Sequence, residues 1–193
     1  QPIKALKPRP HQKRAIKNAV DHFVTKKNER GKMIMPCGSG KSLTGYWIAD
    51  KFKAKKILVA VPSLALIKQT LEVWAEQSVA NKKDVRWICV CSDKSVGDIS
   101  NDDVAVQLQD LGIRVHTKPA EIASWLKKRS SATTVVFTTY QSGEAIATAS
   151  KKAKYSFDLC ICDEAHKTVG AKGKAFSHLL YEKNIKVKRR LFM

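Results

Sequence analysis

The chain has 193 residues and 44% hydrophobic composition, enough to bury the core of one ordinary domain without disulfide or metal staples. Lys and Arg number 36 against 17 Asp and Glu, a formal net charge of +19, which favours a polyanionic partner, above all nucleic acid. No apolar run approaches the roughly 20 residues of a membrane span and no signal-peptide pattern opens the chain, so it reads as soluble and intracellular (cytoplasmic), with no membrane partner.

In chain order, apolar strand-like runs alternate with longer amphipathic stretches. Strands are predicted at Met33–Met35, Ile57–Val61, Val85–Cys91, Thr134–Thr138 and Phe157–Cys162, with another at Arg190–Met193. Helices are predicted from about His11 to Lys26, Ser42 to Phe52, Leu64 to Gln77, Pro119 to Lys128, Gln141 to Ala149 and Lys174 to Tyr181. Leu64, Ile67, Leu71 and Trp74 recur at helical spacing and should face the sheet. The alternation is that of an α/β fold with a mostly parallel central sheet and helices on both faces.

Acidic residues gather between Asp93 and Glu121, in a stretch with no clear period; it is either a surface lobe or a contact to a neighbouring domain. The five cysteines include two Cys-x-Cys pairs, but both lie inside apolar runs. They read as small hydrophobes on buried strands rather than as metal ligands.

The most specific segment is Met33-Ile34-Met35-Pro36-Cys37-Gly38-Ser39-Gly40-Lys41-Ser42. An apolar run enters a Gly-rich turn, and Gly-Lys-Ser opens a helix. Glycines let successive N–H groups curl toward phosphate oxygens, and the helix N-terminus adds its positive dipole. Lys41 would reach the β- and γ-phosphates and the Ser42 hydroxyl would ligate Mg²⁺, so the chain is expected to bind ATP with Mg²⁺. The strict pattern wants Gly at position 35, where Met35 stands, but Gly38 and Gly40 are present.

Such a loop needs a metal-holding acid at the end of another strand. Phe157–Cys162 is followed by Asp163-Glu164-Ala165-His166. Asp163 would complete the Mg²⁺ shell and Glu164 would orient and activate the attacking water. His166 either relays the nucleotide state or caps the turn.

These two segments, in this order, resemble motifs I and II of the superfamily 2 helicases and translocases, whose first domain is a RecA-like P-loop NTPase. Other segments extend the resemblance. Arg9-Pro10-His11-Gln12 resembles the element that recognises adenine, with Gln12 offering an amide to one adenine edge and Arg9 or His11 packing nearby. Val61-Pro62-Ser63-Leu64-Ala65-Leu66-Ile67-Lys68-Gln69 resembles motif Ia, and Thr138-Thr139-Tyr140-Gln141-Ser142 resembles the motif Ib region of the restriction-type branch. The resemblance implies that Pro62, Ser63, Gln69, Thr139, Tyr140 and Gln141 touch a nucleic-acid backbone; the plainer alternative for Ser63 and Thr139 is N-capping.

The resemblance runs from position 6 to 193 and stops at Leu191-Phe192-Met193, inside a motif. Together with Gln1 in place of Met, this implies a piece of a longer protein. A second RecA-like domain would follow and supply an arginine finger, and the isolated domain would hydrolyse ATP poorly. Phe157–Lys167 and the Thr-Thr-Tyr-Gln-Ser segment look most like the type I/III restriction-enzyme group, with DNA as the track. An RNA helicase and an ATP-gated nucleic-acid sensor that does not translocate stay open as alternatives. A small-molecule kinase built on the same loop would leave the 62–69 and 138–142 segments unexplained.

Overall fold

The computed structural model describes residues 3–91, 115–165 and 178–193. His166, most of the acidic 93–121 stretch and the start of the helix expected at 174–181 lie outside the described residues.

Seven strands form one sheet in the order β1-β7-β6-β2-β5-β3-β4, every pair parallel. They are β1 Arg30–Lys32, β2 Lys56–Val61, β3 Val85–Val90, β4 Val115–His116, β5 Thr133–Thr139, β6 Leu159–Cys162 and β7 Arg190–Phe192. The helices are α1 Pro10–Val20, α2 Lys41–Lys51, α3 Leu64–Ala80, α4 Pro119–Lys127 and α5 Gly143–Ala153.

Because strand side chains alternate, β2 feeds two cores at once. Ile57, Val59 and Val61 pack with residues of α1, α2 and α3, whereas Leu58 and Ala60 pack with those of α4 and α5. This is the RecA-like arrangement of one parallel sheet covered on both faces. In α3 the expected stripe is buried: Leu64, Ile67, Leu71 and Trp74 all face the sheet. The cysteines behave as hydrophobes, Cys89 and Cys91 in the first core and Cys160 and Cys162 in the second. No cluster with metal-ligand composition occurs among the described residues.

The strand expected at Met33–Met35 is displaced: the ladder is Arg30–Lys32 against Arg190–Phe192. β1 is an edge strand with a single neighbour, and pairing ends when the Met33 N–H donates to the Phe192 carbonyl at 2.8 Å. The apolar run beyond it lines an open depression with Phe192 and Met193, leaving Ile34 83% exposed. The first helix stops at Val20 and passes into a π-type turn over Asp21–Thr25, and the helix expected from Gln141 begins as a 3₁₀ turn over Tyr140–Ser142. The two-residue β4 was not expected at all, since Val115-His116 is too short to show a period.

Candidate nucleotide site

The phosphate loop sits at the carboxyl ends of the strands, where ligands collect in open parallel sheets. Gly38 and Gly40 adopt left-handed backbone angles, φ 73° and 80°. Gly40 is the N-cap of α2, and its carbonyl accepts from both the Thr44 N–H and the Thr44 hydroxyl at 3.0 Å. Ser39 closes the loop by donating its hydroxyl to the Pro36 carbonyl at 2.6 Å. Pro36 and Cys37 are exposed, and Cys37 lines one open depression with Lys41 and Glu164.

Lys41 and Glu164, 123 residues apart in sequence, meet here: Lys41 Nζ donates to Glu164 Oε1 at 2.7 Å. Both side chains are four-fifths buried, and the hydrogen-bonded carboxylate holds the Lys41 ammonium above its ordinary pKa. Glu164 itself has φ 52°, a left-handed conformation that costs a non-glycine residue on the order of 1 kcal/mol or more. Its turn is braced from three sides: the Asp163 N–H donates to the Ala60 carbonyl, the Ala165 N–H to the Met193 carbonyl, and the Glu164 N–H to Asp163 Oδ1 at 3.0 Å.

Ser42 lies on the first turn of α2 with its hydroxyl oxygen buried and without a hydrogen-bond partner among the described residues. A buried hydroxyl with no partner costs free energy, and the neighbouring loop and Asp163 turn supply the oxygen chemistry that a Mg²⁺ ion prefers. The residues therefore fit the ion. The Ser42 carbonyl is held by the indole N–H of Trp74 at 3.1 Å.

Gln12 is 3% exposed and packed under the loop. Its amide nitrogen donates to the Ser39 carbonyl at 3.1 Å and the Gly40 carbonyl at 3.4 Å, and its oxygen accepts from the Arg9 N–H at 2.8 Å. Arg9 and His11 are exposed, with His11 Nε2 3.1 Å from the Ser39 carbonyl. The Arg9–Gln12 segment and the Gly-rich loop are thus in direct contact, a link that spacing alone does not reveal.

Residues 5–191 match the family described as Type III restriction enzyme, res subunit. The chain belongs to that family. A probable helicase of African swine fever virus is 28% identical over 190 residues, covering 98% of this chain and 19% of that protein. The type ISP restriction-modification enzyme LlaBIII, solved bound to DNA, superposes with a TM-score of 0.78 at 31% identity over 98% of this chain and 12% of that one. A nuclease-deletion mutant of a second such enzyme, LlaGI, solved with a DNA substrate mimic, gives a TM-score of 0.76 at 32% identity over 97% and 17%. The chain therefore spans about a fifth of its viral relatives and less of the restriction enzymes.

In this restriction-type, superfamily 2 domain the segments expected to touch nucleic acid divide. Ser63 and Gln69 are exposed at the start of α3, Pro62 is half-buried, and Gln141 is exposed. The Ser63 hydroxyl accepts from the Leu66 N–H at 3.4 Å and so caps α3. Thr139 and Tyr140 require correction, because both are buried and present no surface to a backbone. Thr139 shares a hydroxyl–hydroxyl hydrogen bond with Ser142 at 2.8 Å. The Tyr140 phenol donates to the Asp163 carbonyl at 2.7 Å, and burial pushes its pKa up. These two residues stiffen the strand ends beneath the site. No helix among the described residues is long and apolar enough to cross a membrane.

Proposed function

We propose that this domain binds ATP with Mg²⁺ and hydrolyses it to drive movement along double-stranded DNA, as the first RecA-like domain of a larger translocase. The observation that carries the reading is the Lys41–Glu164 pair, which joins the phosphate loop to the turn after β6 through two buried, oppositely charged groups.

Incoming β- and γ-phosphates offer Lys41 a denser negative charge than one carboxylate, so Lys41 turns to the nucleotide and releases Glu164. The freed carboxylate then orients a water in line with the γ-phosphorus and takes its proton as the new P–O bond forms and the bond to ADP breaks. Ser42 Oγ and the Asp163 carboxylate would hold Mg²⁺, which would offset the charge on the phosphate oxygens. Gln12 exchanges its hydrogen bonds to Ser39 and Gly40 for the adenine edge, so base recognition and loop geometry change together. A second RecA-like domain supplies the arginine that stabilises the transferring phosphoryl group, worth roughly 10³–10⁵ in rate where measured. The DNA track is supported by the DNA bound to LlaBIII and the DNA substrate mimic bound to LlaGI, and Ser63, Gln69 and Gln141 remain exposed to meet it.

The test is ATP turnover by the full-length protein, second RecA-like domain included, with duplex DNA, single-stranded DNA and RNA at one fixed salt. Duplex DNA should stimulate most. In the same assay Glu164→Gln should retain ATP binding and lose turnover by about 10²–10⁴-fold, the range for removing a positioned base. Turnover within threefold of the parent would refute the assignment of Glu164.

A further inference from the structure

At the opposite, amino-terminal end of the strands, where β2, β3 and β5 begin, lies an open depression of about 690 Å³. Its lining includes Lys56, Arg86, Lys127, Lys128 and Arg129 and, among the described residues, no carboxylate. The strands separate it from the nucleotide loop by roughly 17–20 Å at about 3.3 Å per residue, so it belongs to neither the ATP site nor the exposed ends of α3 and β5.

A plain explanation exists for basic residues here. α4 ends in this depression, and cations near a helix C-terminus offset its dipole. Arg86 already meets that need. Its guanidinium donates to the Trp125 carbonyl at 3.1 Å and the Lys128 carbonyl at 2.9 Å, while its Nε donates to Thr134 Oγ1 at 2.9 Å. The same group stacks on the Trp125 ring at 3.9 Å. Arg86 thus locks the 125–129 turn in place, and Lys127, Lys128 and Arg129 stand on it as a surplus.

Three acids of the surrounding elements have partners of their own, and Asp84, just before β3, lies outside the lining. Asp158 accepts the Lys55 and Lys56 N–H groups at 2.9 Å each, Asp50 pairs with Lys83, and Glu182 pairs with Arg190 at 2.8 Å. Lys127, Lys128 and Arg129 make no ion pair among the described residues, and all three are exposed. Tyr155, half-buried beside Thr134, lies under the Lys56 ammonium at 4.7 Å.

We propose that this depression is a second phosphodiester-binding surface, on which Lys127, Lys128 and Arg129 hold a nucleic-acid backbone away from the motor's own track. It deepens the reading above by giving the domain two backbone contacts at opposite ends of the strands of one sheet. Affinity through such contacts falls with salt, by about 0.9 logarithmic unit per decade of salt for each duplex phosphate neutralised.

The test is binding of a fluorescent duplex DNA to the protein without ATP, across salt, for the parent, the Lys127→Ala/Lys128→Ala/Arg129→Ala triple variant and the charge-conserving Lys127→Arg/Lys128→Arg/Arg129→Lys variant. The alanine variant should lower the slope by about 2–3 and low-salt affinity by on the order of 10-fold, while the charge-conserving variant keeps both near parental values. Slope and affinity unchanged within twofold in the alanine variant would overturn the proposal. So would an equal loss of poly-glutamate binding with DNA binding intact, which points to an acidic protein instead. The measurement needs no ATP turnover, so it fails or succeeds independently of the assignment of Glu164.

Discussion

Gly38 and Gly40 have the same left-handed backbone but different surroundings. A Cβ on Gly40 would stand 2.5 Å from the Gln12 amide nitrogen, whereas one on Gly38 meets nothing within 4 Å. Alanine at either position incurs backbone strain of about 1–2 kcal/mol. Alanine at 40 must also push Gln12 from the loop carbonyls it holds. Gly40→Ala should therefore lower the melting temperature more than Gly38→Ala and also disturb adenine discrimination. Thermal melts and paired ATP and GTP titrations of the two variants check this; equal effects in both would show that the Gln12 contact carries no energy. The glycines were legible in the sequence because only they tolerate such turns. The Gln12 contact was not, since 27 residues separate it from Ser39 and only packing α1 beneath the loop brings them together.

At the scale of elements, Trp74 connects two helices that sequence reading treats separately. Its indole N–H holds the Ser42 carbonyl, and its ring meets Tyr46 of α2 and Phe137 of β5 edge-on at 5.5 and 5.9 Å. The helix bearing the proposed backbone contacts is thereby fastened to the first turn of the nucleotide helix. Trp74→Ala should destabilise the domain by about 3–5 kcal/mol, the usual cost of emptying a large aromatic site, measured by denaturant unfolding. It should also weaken ATP binding, because the turn that carries Ser42 loses its support; full ATP affinity in the folded variant would show the two helices to be independent. The stripe Leu64, Ile67, Leu71, Trp74 was readable because helical period survives any tertiary context. The position of β1 was not, because an apolar run marks burial or packing and not the end of a ladder.

Across the whole molecule, the cysteines report how the two cores close. Cys37 is exposed on the phosphate loop, while Cys89, Cys91, Cys160 and Cys162 are buried, two in each core. Burial raises the pKa of Cys89 and pushes that of Cys91 up to about 12, and the Cys160 thiol beside it, with burial, raises that of Cys162, so these thiols stay protonated and unreactive. A thiol reagent should modify one cysteine in the native protein, with ATP slowing the reaction, and the other four only after unfolding. Mass spectrometry of the labelled protein checks the count, and rapid native labelling at Cys89 or Cys160 would show that the core on that face opens.

The sequence by itself determined the alternating α/β pattern, the phosphate loop at 36–42 and the carboxylate pair Asp163–Glu164, because each depends on local backbone chemistry or on period. It also determined that the Cys-x-Cys pairs are core residues, since hydrophobic neighbours on both sides leave a strand no other environment. The tertiary structure decided which residues touch. It placed Lys41 on Glu164, set Gln12 under the loop, and buried Thr139 and Tyr140, which were expected to touch a nucleic-acid backbone. It also gathered Lys56, Arg86 and the 127–129 turn around one depression. Parallel strands are joined by long crossovers, so residues that meet at either end of the strands lie far apart in the chain, and only the strand order brings them together.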